Sequence, residues 1–220
     1  MKILLIVLKK SRELREIAEP KEGLSTSDNK RFLRLWWEVN ILLEQLNSKD
    51  IDSAKNSMAK WFPFNKGGNY RKWYGNNDYV INYKNDGKEL LDTRKAAIRN
   101  QKFYFNESIT WSLISSSDIA FRYKPYGHIF DAAGSSIFSD TNCILLLLGF
   151  CNTVVAMMLL KVIAPTLNYA PGSVGVLPVI DIEAEKKNKI VDIVKENIKL
   201  SKSDWDSFET SWDFKKHPLV

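Results

Sequence analysis

KWFPFNKGGNYRKWYGNNDYVINY, residues 60–83, is the stretch whose reading decides the fold. Aromatic residues alternate with polar ones, and Gly67-Gly68, Gly75-Asn76-Asn77 and then Asn85-Asp86-Gly87 interrupt the pattern. A period of two bounded by Gly and Asn predicts strands joined by tight turns. The same stretch carries Trp61, Phe62, Phe64, Tyr70, Trp73, Tyr74, Tyr79 and Tyr83 among Lys60, Lys66, Arg71 and Lys72. Flat rings, fixed cations and a glycine pair that lets backbone approach a partner suit a nucleic-acid groove. An aromatic hairpin with ordinary surface lysines has the same composition, so the pattern alone leaves both readings open.

The charge distribution narrows the choice. Residues 60–105 hold ten Lys or Arg against four Asp or Glu, a surplus equal to the net +6 of the whole chain. The rest of the chain balances to zero, so the positive field is local and implies a polyanion at one place. With 220 residues, 45% of them hydrophobic and 26% charged, the composition fits one domain with a core, plus a tail. Cys143 and Cys151 fall in one apolar run, where a shared helix would keep them from bridging. They read as buried thiols in a reducing cytoplasm.

Two segments imitate membrane signals. Met1–Leu8 is too short for a secretory apolar region and is followed by charge rather than small residues. Ile144–Ala164 approaches one membrane thickness. However, Asn142, Gly149, Asn152, Thr153 and Ala156 form a thin polar or small stripe, which suits a buried core helix better.

Outward from the aromatic stretch, Glu13–Glu22 reads as a strand, and the polar turn 24–29 leads into Lys30–Val39. Ile41–Ala59 reads as a helix followed by an irregular linker. Residues 90–104 read as a helix or a basic loop. A second strand-rich block covers Ile109–Ile114, Ile119–Tyr123, Ile129–Phe130 and Ile137–Phe138. One helix is expected over Thr141–Ala164, stopped by Pro165. A loop, Thr166–Val176, and an amphipathic helix, Ile182–Leu200, follow. An aromatic cap closes the chain, with Trp205, Phe208 and Trp212 on one helical face.

Several long motifs carry a likeness. EIAEPKEGLSTSDNKRFLRLW (16–36), NKGGNYRKWYGNNDYVINYKNDG (65–87), ITWSLISSSDIAFRYKPYGHIFDAAGSSIF (109–138), APTLNYAPGSVGVLPV (164–179) and SKSDWDSFETSWDFKKHPL (201–219) occur in order. Together they resemble the target-recognition region of large bacterial adenine-specific DNA methyltransferases. That family is the fused restriction-modification type and includes the methyltransferase of BREX phage-defence systems. A helix followed by a loop ending in Leu-Pro is also similar, less closely, to specificity subunits of type I restriction enzymes. The resemblance implies an upstream domain that binds S-adenosylmethionine and catalyses, and a region like this one that grips and reads the duplex. The chain departs from the family pattern in two places. Its seven prolines are never adjacent, so the catalytic Asn-Pro-Pro-Tyr/Phe signature is absent, and no Gly-x-Gly occurs. The expectation is therefore a recognition fragment without catalytic residues, cofactor site or metal site. On this reading residues 1–12 are an atypical extension, 13–180 a DNA target-recognition domain and 181–220 a helical tail. The fold class is α+β: a mixed or antiparallel sheet with a long buried helix and a C-terminal helical tail.

The resemblance also weights the candidate sites. Arg31 and Arg34 would hold phosphates while Thr26 or Asn29 touches backbone or base, although Ser27, Asp28 or Asn29 also suits a helix cap. Lys66, Gly67, Gly68, Asn69, Tyr70, Arg71 and Lys72 are the principal DNA candidates. Arg71 is suited to guanine, Lys66 and Lys72 to phosphate, and Tyr70 to stacking or wedging. Arg122 and Lys124 are further phosphate candidates beside the turn before His128, which reads as structural. Trp61, Trp73 and Trp111 read as core. Asp181, Glu185 and Lys187 mark a helix start rather than a nuclease site. The expected partners are double-stranded DNA and the methyltransferase catalytic domain or other defence-system subunits, with no membrane. Two rival readings are a protein-interaction fragment docking through Trp205, Phe208 and Trp212, and a membrane-anchored protein.

Overall fold

The computed structural model describes residues 11–115, 118–217 and 219. The expectations for Met1–Leu8 and for most of the N-terminal extension therefore lie outside the described residues. The strands, in chain order, are β1 (Arg12–Glu13), β2 (Glu19–Lys21), β3 (Leu33–Leu35), β4 (Trp61–Asn65), β5 (Tyr79–Asn82), β6 (Ser108–Thr110), β7 (Arg122–Lys124), β8 (Ile129–Phe130), β9 (Ser136–Phe138) and β10 (Pro178–Val179). The helices are α1 (Asn29–Phe32), α2 (Ile51–Asn56), α3 (Lys84–Asp92), α4 (Thr141–Cys151), α5 (Val154–Ile163), α6 (Pro171–Gly175) and α7 (Ala184–Trp205). The fold is α+β, with antiparallel and mixed sheets and a C-terminal helix.

Two four-stranded sheets organise the body. One has the order β2-β9-β6-β7 and is antiparallel throughout. The other has the order β3-β5-β4-β8, with β8 parallel to β4. β1 and β10 form a separate antiparallel ribbon. Each sheet has its own core. Phe32, Phe62, Phe64, Ile81, Tyr104, Phe105 and Phe130 pack on the sheet containing β4. Ile109, Trp111, Phe121 and Ile137 pack with α4, α5 and α7 on the other. Asn65 joins them: its Nδ2 donates to Thr110 Oγ1 at 2.5 Å and to Gly134 O at 2.8 Å. A polar residue here is satisfied only if the two sheets keep this register, because losing buried partners is costly.

Several expected elements differ from those observed: the strand expected over Glu13–Glu22 is split between β1 and β2, and of the helix expected within Ile41–Ala59 only α2 is α-helical. Residues 60–83 yield two paired strands, β4 and β5, but residues 66–78 between them form one long loop rather than successive tight turns. The Asn85-Asp86-Gly87 turn does form, with left-handed φ of 52°, 56° and 72° at the start of α3. The single helix expected over 141–164 is two, α4 and α5, bent by 77°. Asn152 causes the break. Its side chain leaves the helix to pair with both backbone groups of Phe121, Oδ1 accepting at 3.1 Å and Nδ2 donating at 2.9 Å. Thr153 then caps α5 by accepting from the Ala156 N–H. Among the described residues no single helix is long and apolar enough to cross a membrane. Both cysteines do lie in α4, unpaired, and burial pushes the Cys151 thiol up.

The helical tail is longer than expected, running to Trp205, and it packs on the body. The aromatic cap does not present one free face. Trp205 is buried under the Arg71 guanidinium, 5.1 Å from its ring centroid. Trp212 lies beside His128, with centroids 6.0 Å apart. Phe208 is the exposed member. Trp36 Nε1 donates to Thr210 O at 2.9 Å, and Lys202 bridges Asp206 and Asp213 over the Tyr74 ring. The surface expected to dock on a partner is largely used to dock on this chain.

Candidate nucleic-acid interface

β4 ends at Asn65 and β5 begins at Tyr79, so residues 66–78 must leave the sheet and return. Gly67 and Gly68 make the first bend at φ of 83° and 114°. A Cβ at Gly67 would lie 2.8 Å from Ala133 O, and one at Gly68 would lie 2.8 Å from Asn76 Nδ2. Positive φ together with close approach restricts both positions to glycine.

The loop that follows is held by its carbonyls. Asn76 Nδ2 donates to Gly67 O and Asn69 O, at 3.3 and 2.9 Å. Ser112 Oγ donates to Gly68 O at 2.7 Å, and Arg122 Nη1 to Arg71 O at 3.3 Å. Ser201 Oγ, on α7, bonds Lys72 O and Tyr74 O at 3.0 and 3.1 Å. Lys124 Nζ donates to Gly75 O at 2.9 Å, to Asn76 O at 3.1 Å and to Asn77 Oδ1.

This geometry corrects two candidates. Arg122 and Lys124 are 1% and 0% exposed, so neither reaches a duplex lying on the surface. They alternate with Tyr123 along β7, which puts both on one face, and that face is interior. Burial lowers the Arg122 guanidinium to about 10, with the Arg71 charge adding to the effect. Burial likewise depresses the Lys124 ammonium, helped by Arg122 and opposed by Asp78. Three acceptors around Lys124 Nζ nevertheless require three donors, which only the ammonium form supplies. The role of this pair is to hold the loop from beneath.

The other candidates divide into two groups. Tyr70 is 52% exposed at the loop tip, with Gly68 and Asn69 exposed beside it. Lys66 pairs with Asp131 at 3.3 Å, Arg71 pairs with Asp204 at 2.7 Å, and Lys72 Nζ donates to Asn152 O at 3.2 Å. These three cations are part-exposed and already engaged, and the surface pair of Arg71 is worth little in water. The large rings expected beside them, Phe62, Phe64, Tyr74 and Tyr83, are core. Trp61 and Trp111 are core as expected, and Trp73 is half-buried.

The second group caps α1. Asp28 accepts from Arg31 N at 3.1 Å, and buried Thr26 donates to Asn29 Oδ1 at 2.6 Å. Arg31 ion-pairs with Glu89 at 2.9 Å. Arg34 Nη1 donates to the carbonyls of Lys30 and Leu33. The segment leading to Thr26 meets the loop through residues 131–133: Leu24 bridges to Asp131, which binds Lys66, and Gly67 abuts Ala133. Arg34, on β3, stands two strands from β4, about 10 Å across the sheet. Asn76, Asn77, Ser112 and Ser201 were missed by sequence reasoning. The first two lay in plain view as turn residues, whereas nothing local marks the serines.

No protein-family model matches the chain. It is 42% identical over 203 residues to the adenine-specific methyltransferase BrxX of Escherichia coli O9:H4 (strain HS), covering 90% of this chain and 16% of that protein. It is 37% identical over 218 residues to the adenine-specific methyltransferase PglX of Lacticaseibacillus casei (strain Zhang), covering 96% of this chain and 18% of that protein. The chain matches one segment of adenine-specific methyltransferases. It spans less than a fifth of the length of either relative.

Proposed function

We propose that this chain is a DNA-recognition part of an adenine-N6-specific DNA methyltransferase of a phage-defence or restriction-modification system, acting in the bacterial cytoplasm. The observation that carries the reading is the match of nearly the whole chain to BrxX and PglX. The loop 66–72 supports it, because its polar tip stands out from a rigid base while cations flank it. In this reading the chain holds the duplex, and other parts of the methyltransferase bind S-adenosylmethionine and receive the extruded adenine. Phosphate contacts set register and the exposed tip at Asn69 and Tyr70 reads sequence. Arg122 and Lys124 are not among the contacts.

The test is duplex binding as a function of salt. Each phosphate neutralised by a cation contributes about −0.9 to the log–log slope. Charge reversal of Lys66 and Lys72 is expected to flatten the slope by one to two such contacts. An unchanged slope removes these cations from the interface, and no duplex binding at low salt overturns the reading for the isolated chain.

A second reading, a segment that docks on another part of the methyltransferase or on another defence-system subunit, is favoured by one observation. α5 leaves Val154, Val155, Met158 and Val162 exposed along one side. A contiguous apolar face of this kind marks interaction surfaces. Concentration-dependent self-association abolished by Met158→Asp, with duplex binding unchanged, would separate this surface from the DNA face.

A further inference from the structure

The loop Gly67–Lys72 has an unusual division of its backbone groups. The carbonyls of Gly67, Gly68, Asn69, Arg71 and Lys72 each accept a side-chain hydrogen bond from the protein. Among the described residues, none of the N–H groups from Gly67 to Lys72 meets a protein acceptor; the first that does is Trp73 N, which donates to Phe121 O. A trans peptide is planar, so a carbonyl and the N–H that follows it point in opposite directions. Inward carbonyls at Gly67, Gly68 and Asn69 therefore aim the N–H groups of Gly68, Asn69 and Tyr70 away from the body. These three residues are also the exposed ones. Successive outward N–H groups in a turn with positive φ form a concavity for an anion.

The charges nearby favour the same ligand. Arg122 lies beneath the loop, and among the described residues it makes no ion pair and its Nε is buried without a partner. Lys124 beside it is surrounded by neutral acceptors. The carboxylates in the neighbourhood, Asp131, Asp204 and Asp78, are opposed by Lys66, Arg71 and Lys124 respectively. The buried guanidinium is left without a counter-charge.

We propose that the N–H groups of Gly68, Asn69 and Tyr70 form an oxyanion cradle that takes one phosphate group, with Asn76 and Ser112 as the positioning residues that turn the carbonyls of Gly67, Gly68 and Asn69 inward, themselves held by Lys124 at Asn76 O and by Arg122 at Ser112 Oγ. The ligand chemistry is a phosphate oxyanion. That its source is the duplex backbone rests on the function proposed above. The cradle adds a contact made by backbone and not by the side chains of Lys66 or Lys72.

Asn69 gives the cleanest test, because it is exposed and can be changed without opening the core. Asn69→Ala removes the side chain and keeps the N–H, whereas Asn69→Pro removes the N–H as well. The full chain, labelled with nitrogen-15, is titrated separately with inorganic phosphate and with a generic duplex at low salt. Both ligands are expected to shift the amide resonances of Gly68, Asn69 and Tyr70. Asn69→Pro is expected to weaken duplex binding roughly tenfold relative to Asn69→Ala, the effect of one hydrogen bond to a charged group. The salt slope should not change, because no cation is removed. Phosphate shifts without duplex shifts would support the cradle and overturn its duplex source. Duplex binding with equal affinity for the two variants, and no amide shift at 68–70 with either ligand, would overturn the cradle and leave DNA recognition standing. A melting scan of both variants identifies a loss that comes only from unfolding.

Discussion

Lys124 and His128 show what a single buried titratable group does here. His128 donates from Nδ1 to Pro125 O at 3.2 Å, while its Nε2 is buried without a partner. Burial, with Lys124 nearby, lowers its ring to about 3, against an ordinary value of 6.5. The unfolded chain therefore binds this proton first as pH falls. Stability supplied by the neutral ring is complete above 6.5 and is lost progressively between 6.5 and about 3. His128→Asn keeps a donor near Pro125 and does not titrate, so its melting temperature is expected to vary less with pH across that window. Equal pH profiles would contradict the assignment. Lys124→Met relieves the desolvation of an ammonium but leaves two buried carbonyls and an amide oxygen without a donor. Each unpaired group costs about 1–3 kcal/mol, so the loss dominates and a net destabilisation of about 2 kcal/mol is expected in chemical denaturation. The sequence reading set Arg122 and Lys124 beside the turn before His128. It could not show that both lie on one interior strand face, because long-range packing of the 66–78 loop decides that. Phe62, Phe64, Tyr74 and Tyr83 were misplaced for the same reason: their pattern marks a sheet, and a sheet offers either face to the core.

At the level of elements, the break between α4 and α5 is the clearest case of a local pattern overridden by a distant need. The run 141–164 has the hydropathy of one helix, interrupted only by Asn152 and Thr153. Phe121, just before β7, needs a partner for its N–H, and the Asn152 amide supplies it while adding a second donor to a C=O that also accepts from Trp73 N. Asn152→Leu suits helix continuation and removes that pairing. It is expected to destabilise the chain by about 1–3 kcal/mol, because the buried Phe121 N–H is orphaned while its C=O keeps the bond from Trp73 N. A melting temperature equal to that of the parent would show that the bend arises elsewhere. Strand positions were legible where hydrophobic residues met turn residues, as at β4, β5 and the Asn85-Asp86-Gly87 turn. The extent of β6 and β7 was overestimated, because the flanking apolar residues, Trp111 and Phe121 among them, serve the core without extending the strands.

For the whole molecule, the tail and the 66–78 loop form one unit. α7 brings Ser201 to the carbonyls of Lys72 and Tyr74, Asp204 to Arg71, and Trp205 to the inner side of the loop. Deleting residues 201–220 is expected to expose Tyr74 and loosen the loop. The truncated chain should then associate more readily and bind duplex more weakly. Sedimentation of the two lengths over a range of concentration checks the first effect; truncation that abolishes association would instead favour the tail as a partner-docking element. The resemblance to adenine-specific methyltransferases was legible in long unusual motifs. The arrangement of the 66–78 loop was not, since its anchors come from residues 76, 112, 122, 124 and 201.

The central claim is that the face carrying Gly67–Lys72 lies on duplex DNA. Amide hydrogen exchange of the full chain, with and without duplex at low salt, tests it most directly. Among the described residues the N–H groups of residues 68–72 meet no protein acceptor, so they should exchange quickly in the free chain and slow on addition of DNA. Exchange that stays fast there while the exposed face of α5 becomes protected would contradict the claim.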